Sequence, residues 1–376
     1  MKNFAAIILI ITTFITQLSS GINYVVFPLT LQEQGYSITL IGVAMSFEIL
    51  AIILLSKYIS LTVKYLGVIL TLLITSIIRS VVIYFLGFND EFIIWLLGIF
   101  IYGLTTSMLL VVVQTWLNMI DVGKLKGLFL GLYSSALSLG IAAGPILLHY
   151  LDNDSLKNIV SIIIPFLPLA FLIFIIKQKP VFSEDSKVRT TFIFKHAKVV
   201  LLSAFVGGVC FFGLPSFLTI YGMENGLSSS QASLLLTMFM VGSVSIGALI
   251  SWMSSFIDTL KIIYICCCFS VVCAVFLSLA VYSSVEIAYV LLVIWGGCMG
   301  GIYASSLEYI GELFRREDQI SANTTFVLMD ALGGFIGLFA IGLSMEFIGG
   351  EGLTYVIVLF SICYLIYITK EFVKRL

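Results

Sequence analysis

Charge is the scarcest ingredient of this chain. Only 10% of its 376 residues are Asp, Glu, Lys or Arg, while 60% are apolar. A water-facing surface drawn from that mixture would hold too few polar groups, which excludes an ordinary soluble fold. Histidine is almost missing: His149 and His196 are the only two. They fall at span ends on opposite sides of the membrane, which argues against a bis-His haem or a zinc site built from them. All seven cysteines (Cys210, Cys266, Cys267, Cys268, Cys273, Cys298 and Cys363) lie within apolar runs without an isolated CxxC pair. They read as small apolar fillers rather than disulfides or metal ligands. No HExxH, GxSxG, P-loop or GxGxxG pattern occurs, and there is no soluble catalytic domain, so the chain is not expected to be an enzyme. No metal or cofactor is expected. The net charge is −1 and the basic residues are scattered, which leaves no footprint for a nucleic acid.

What is present is apolar sequence in long runs. A bilayer core about 30 Å thick takes about 20 helical residues per crossing. The chain divides into twelve such segments, near residues 4–29, 37–57, 64–87, 91–118, 126–149, 157–177, 197–221, 229–254, 260–282, 286–310, 320–347 and 351–369. The expected class is an all-α polytopic membrane protein whose partner is the lipid bilayer. Every Lys and Arg except Lys157 and Arg79 falls at an end of the chain or in alternate gaps between segments: Lys2, Lys57, Lys64, Lys124, Lys126, Lys177, Lys179, Lys187, Arg189, Lys195, Lys198, Lys261, Arg315, Arg316, Lys370, Lys374 and Arg375. The opposite gaps hold Glu33, Asp90, Glu91, Asp152, Asp154, Glu224, Glu286 and Glu351. Under the positive-inside rule both termini are cytoplasmic, in a bacterial inner membrane. The run after Met1-Lys2 has no small-x-small cleavage site and reads as an uncleaved first span.

The longest polar stretch separates six spans from six. The expected units are residues 1–177, a cytoplasmic central loop 178–196, and residues 197–376. A weak internal repeat supports the division. Leu29-Thr30-Leu31 precedes Gly35-Tyr36-Ser37 after the first span, and Leu218-Thr219-Ile220 precedes Gly226-Leu227-Ser228 after the seventh. Gly131, Gly140, Gly144 and Pro145 in the fifth span have counterparts in Gly333, Gly334 and Gly337 of the eleventh. Parallel half-repeats of this kind place a substrate site near the bilayer midplane.

Three stretches carry a family resemblance. Gly21-Ile22-Asn23-Tyr24-Val25-Val26-Phe27-Pro28-Leu29 runs on to Gly35-Tyr36-Ser37 and Ile41-Gly42; Trp116-Leu117-Asn118 follows; then Gly127-Leu128-Phe129-Leu130-Gly131-Leu132-Tyr133 leads to Gly140 and Gly144-Pro145. Together they resemble the YcaD-like permeases of the major facilitator superfamily. The resemblance implies twelve helices in two pseudo-symmetric six-helix bundles, a cavity lined by the first, fourth, seventh and tenth spans, and transport by alternating access. The stretch from Ser56 to Gly67 departs from the superfamily's Gly/Asp/basic loop motif, and Ile146 and Leu147 replace the glycines of the antiporter-type motif. Gly140-x3-Gly144-Pro145 therefore reads equally as close helix packing with a proline bend.

Ionisable groups inside spans cost at least about 2.5 to 3.5 kcal/mol on insertion scales, so they face a cavity or a partner. Glu48, Arg79, Glu308 and Asp330 are the four. Glu48 and Arg79 either form a structural ion pair inside the first bundle or serve the transport cycle. Asp330 lies among glycines, and in the superfamily arrangement it would approach Glu48, where two carboxylates could share a proton. Proton coupling through Asp330 first and Glu48 second is the expectation. Glu308 and Gln114 sit at corresponding depths and would line the inner mouth, unless Glu308 snorkels to the interface. Candidate substrate-facing groups are Gln17, Asn23, Tyr102, Thr106, Phe211, Phe212, Trp295 and Tyr303, an aromatic wall with few hydrogen-bonding groups that suits a small amphipathic organic solute. Tyr58 and Trp95 are expected at the membrane interface. The function expected is secondary active transport of a small solute by a monomer. The competing classes are a non-transporting membrane sensor or assembly protein and, less favoured, a polytopic membrane enzyme.

Overall fold

The computed structural model describes residues 2–55, 58–120, 126–151, 154–175, 190–253, 256–314 and 316–373. The helices are α1 (Lys2–Glu33), α2 (Ile38–Leu55), α3 (Ile59–Leu66), α4 (Val68–Leu86), α5 (Phe92–Met119), α6 (Lys126–His149), α7 (Asp154–Ile163), α8 (Leu167–Leu172), α9 (Thr190–His196), α10 (Lys198–Glu224), α11 (Ser229–Met253), α12 (Thr259–Ser283), α13 (Val285–Leu313), α14 (Arg316–Ile348) and α15 (Gly352–Val373). Eleven of them are long and apolar enough to cross a bilayer. The remaining crossing, sixth in order, is the shorter apolar stretch 159–175.

That sixth span differs from the continuous helix expected. It breaks into α7, a 3₁₀ turn Ile164–Phe166, α8 and a second 3₁₀ turn Ile173–Ile175. Pro165 and Pro168 explain the interruption, because each lacks an N–H and crowds the preceding turn. The connection between the second and third spans is helical rather than a plain loop: α3 fills it and stops at Gly67, whose φ of 77° suits glycine. Of the expected central loop 178–196, residues 178–189 lie outside the described residues, and Thr190–His196 is the helix α9. The repeat seen in sequence has a conformational basis. Gly35 after α1 and Gly226 after α10 both take left-handed φ values, 85° and 84°, and end their helices alike.

The chain falls into two compact units. The first comprises residues 1–27 and 47–185. Its apolar core gathers Leu9, Leu72, Val112, Trp116 and Leu172 from four spans. Gly140 and Gly144 of α6 press on α1: a Cβ at Gly140 would lie 2.6 Å from Phe14 O, and one at Gly144 would strike the Gly21–Ile22 backbone. The Gly140-x3-Gly144 motif is thus a helix-packing device in this unit.

The second unit comprises residues 186–376 together with residues 28–46, the end of α1 and the beginning of α2. Within it Thr39 N–H donates to Glu346 Oε2 at 2.8 Å. Gly42 and Gly342 approach so closely that a Cβ on either would lie 3.1 to 3.2 Å from the other's Cα. Two further helix pairs are built the same way. Gly296 and Gly300 of α13 rest on Phe239 O and Ser243 O of α11, and Gly208 of α10 meets Asp330 O and Gly334 N of α14. Lipid supplies no hydrophobic drive between helices, so close backbone approach at small residues is what holds such pairs.

A methyl at Gly296 would overlap Phe239 O and force α11 and α13 apart. Gly296→Ala is expected to cost about 1 to 3 kcal/mol, read as a lower Tm of the purified protein in detergent. The same substitution at Gly35 has open space but a left-handed φ, and should cost less.

Candidate functional site

The first unit carries a buried polar cluster on four spans. Its centre is Arg79 on α4, only 1% exposed. The buried face of α4 runs through Thr71, Leu72, Thr75, Ser76, Arg79, Ser80 and Ile83, a helical stripe that sets the arginine toward α1 and α5. Its Nη2 donates to Tyr102 OH at 2.6 Å, Ser20 Oγ at 3.1 Å, and Ser19 Oγ and Thr16 O at 3.4 Å each. Its Nη1 donates to Thr106 Oγ1. The guanidinium lies 4.2 Å from the Tyr102 ring centroid, a cation–π contact. Nε has no partner.

Asn23 joins the cluster by donating to Ser19 Oγ and Tyr102 OH at 3.4 Å, and its Oδ1 is unpartnered. Gln17, also buried, accepts from Ser20 Oγ at 3.3 Å. Glu48, 3% exposed on α2, is hydrogen-bonded to Tyr24 and feels the charge of Arg79. Gly103 of α5 makes room for it, since a Cβ there would strike the Glu48 backbone. Arg79 thus spends its hydrogen bonds on hydroxyls and a carbonyl, and the two opposite charges act on each other at longer range.

The second unit holds an aromatic group and one carboxylate. Phe211 on α10 packs edge-on against Phe239 (5.8 Å) and Tyr303 (6.2 Å), and Tyr303 against Phe326 (5.2 Å). Phe212 covers Gly334. Trp295 is fully buried, its Nε1–H donating to Ser270 Oγ at 2.7 Å and its ring against Phe239 at 6.2 Å. Asp330 of α14 faces the Gly207–Gly208 stretch of α10: a Cβ at Gly207 would lie 3.7 Å from Asp330 Oδ1. That Oδ1 is sealed from solvent and has no hydrogen-bond partner among the described residues. Glu308 is half-buried on α13, and Gln114 is exposed near the end of α5.

Sequence reasoning thus named Arg79, Glu48, Asn23, Gln17, Tyr102 and Thr106, which the fold brings together. It missed Tyr24, which holds Glu48, and Thr16, Ser19 and Ser20, which hold Arg79. The available signal was the run Thr12, Thr16, Ser19, Ser20, Asn23 at helical spacing on the first span. Trp95, near the start of α5, packs inside the first unit. It is 1% exposed, bonded to Asn89 O at 3.0 Å and packed on Phe27, because α5 turns its ring inward. Tyr58 is exposed as expected. Among the described residues no group of three or more His, Cys, Asp or Glu side chains could hold a metal ion.

An all-helical multi-pass membrane chain with charged groups buried in its spans belongs to the class of solute-handling membrane proteins. The family model of the Major Facilitator Superfamily matches residues 9–338 and 201–374, and the chain belongs to that superfamily. It is similar in structure to the nucleoside transporter NupG, with TM-score 0.82 and 12% identity over 98% of this chain and 99% of that one. It is also similar to a bacterial homologue of the human lysosomal transporter Spinster in its inward-facing, occupied conformation, with TM-score 0.78 and 13% identity over 99% and 97%. The unoccupied form of that homologue gives 0.74 at 14% identity over 98% and 95%. No curated protein matches the chain. The fold is that of the superfamily, and the protein is a secondary transporter of a small solute working by alternating access, not an enzyme.

Tyr102→Phe removes the hydroxyl that meets both Arg79 and Asn23. It should lower stability by about 1 to 3 kcal/mol, seen in thermal unfolding.

Proposed function

We propose that this protein is a proton-coupled transporter of a small amphipathic organic solute in a bacterial inner membrane, acting as a monomer with both termini cytoplasmic. Its two half-repeats are residues 1–177 and 197–376, joined by the loop 178–196, and its subgroup is that of the YcaD-like permeases. The coupling residue is Asp330, with Glu48 second. The observation that carries this is the bare carboxylate oxygen of Asp330, sealed among helices within the span 322–348. A buried carboxylate without a partner is costly when charged, and binding a proton relieves that cost. Solute recognition is assigned to two sets. Gln17, Asn23, Tyr102 and Thr106 supply hydrogen bonds in the first unit, with Gln114 toward its edge; Phe211, Phe212, Trp295 and Tyr303 supply apolar surface in the second, with Glu308 nearby. The half-buried Phe211, Phe212 and Tyr303 suit direct contact better than the sealed Trp295.

A thermal-shift screen of the detergent-purified protein supplies the solute, since a ligand of the folded state raises the Tm by mass action. Proteoliposomes loaded with that solute then test coupling. Asp330→Asn should abolish accumulation driven by a pH gradient while leaving solute exchange without a gradient intact. Accumulation equal to wild type would remove Asp330 from the coupling role. Orientation has its own readout: a cysteine at Lys157 should be labelled by an impermeant maleimide from outside intact cells, and one at Lys370 only after lysis. The reverse pattern would invert the topology.

A further inference from the structure

Arg79 is poorly matched by what surrounds it. Its partners at hydrogen-bond distance are four hydroxyls and one carbonyl, all neutral, and the carboxylate that balances it, Glu48, is engaged by Tyr24. The shortfall is concentrated on one edge of the guanidinium. Nε has no partner, and the adjacent Nη2 spreads its two hydrogens over four acceptors, two of them at 3.4 Å. Nε and Nη2 are the pair that an arginine offers side-on to a carboxylate, as two parallel charge-assisted bonds. Asn23, which shares Ser19 and Tyr102 with Arg79, has an Oδ1 without a partner among the described residues as well. Unused donor and acceptor positions on two side chains, each 1% exposed, in the same cluster mark a place prepared for a group that is not part of the chain.

We propose that the solute is a monoanionic organic acid, and that its carboxylate is recognised by the Nε/Nη2 edge of Arg79 in exchange with Glu48. The assignment rests on the transporter reading above and names its substrate class. One buried cation calls for one negative charge. With Glu48 ionised, the chain supplies that charge itself. With Glu48 protonated, the cluster carries a net positive charge that a solute carboxylate neutralises. Solute and proton therefore favour each other's binding, and by linkage the effect is reciprocal. The charged and titratable groups that act on Glu48 are Tyr24 from α1 and Arg79 from α4; Tyr102 from α5 acts on both Tyr24 and Arg79's site. The incoming carboxylate displaces the two 3.4 Å contacts, to Thr16 O and Ser19 Oγ. Ser19 then keeps its bond from Asn23, and the Thr16 carbonyl keeps the bond from Ser20 Oγ at 3.3 Å.

The test uses the full chain in detergent and a matched panel of probes: acetate, lactate, benzoate and 3-phenylpropionate, each against its neutral amide. Binding is read by thermal shift and by calorimetry at pH 5.5 to 8. At least one acid should bind at least about tenfold more tightly than its amide, since a charge-assisted bond contributes roughly 1.5 to 3 kcal/mol. Its affinity should fall as pH rises. Glu48→Gln should bind the acid more tightly at pH 8 and lose the pH dependence, whereas Arg79→Lys, which keeps the charge but not the fork, should weaken the acid about tenfold and leave any amide binding unchanged. Unliganded Tm values establish that both variants fold, and if Arg79→Lys does not, Glu48→Gln alone decides. Amides that match their acids, an acid affinity unmoved in Glu48→Gln, or no acid of the panel binding would overturn the assignment. A neutral solute whose gradient-driven uptake still requires Asp330 would overturn it while leaving proton-coupled transport standing.

Discussion

A guanidinium placed where no water reaches must be solvated by the protein, and that demand organises the first unit. Arg79 draws hydroxyls from α1 and α5 and a backbone carbonyl from α1, so three helices are tied at one depth. The hydroxyls on α1 do not need the arginine to be satisfied. Ser20, which accepts from it, also donates to the Thr16 carbonyl one turn earlier at 3.3 Å, and Ser19 accepts from Asn23 as well; Thr12, Thr13 and Thr16, whose hydroxyls do not reach the arginine, donate one turn back at 2.8 to 3.0 Å. A serine or threonine in a transmembrane helix can always fall back on that bond. Such side chains can therefore rearrange around a charge without leaving an orphan, which a fixed carboxylate partner would not allow.

The second unit solves a different problem. It contains one intramembrane carboxylate, Asp330, with a sealed and bare oxygen among the described residues, and otherwise relies on backbone proximity. Gly208 against Asp330 and Gly334, Gly296 and Gly300 against α11, and Gly42 against Gly342 bring main chains to near contact. Many shallow van der Waals contacts then accumulate where larger side chains would hold the helices apart. Where both helices of such a pair belong to one half, as with α10 and α14 or α11 and α13, close packing stiffens that half, which is what alternating access asks of it.

The twelve-span plan was legible because charge is so rare that its placement in alternate gaps is unmistakable. Arg79, Glu48 and Asp330 stood out for the same reason. The hydroxyl residues that hold Arg79 did not. Ser and Thr occur on every face of these helices, and only the packing of α1 against α4 and α5 decides which of them matter. Tyr24 was hidden by its position beside Asn23 in a motif read for its family likeness. The break in the sixth span was written in Pro165 and Pro168, yet the apolar run around them is long enough to read as one helix.

Glu48 is a buried carboxylate and Asp330 a half-buried one with a single sealed oxygen, and their surroundings differ. Glu48 has a tyrosine hydroxyl bonded to it and a cation within electrostatic reach. Anything that competes for the cation, a solute carboxylate above all, changes the balance at Glu48. Asp330 has neither aid. Its neighbours on α10 are glycines, which contribute no side chain, and its Oδ1 has no hydrogen-bond partner among the described residues. A carboxylate in that setting is governed by its access to protons rather than by a nearby charge. In the proposed cycle Glu48 answers to both solute and proton and Asp330 to the proton supply, and no further ionisable group inside the bilayer is called for.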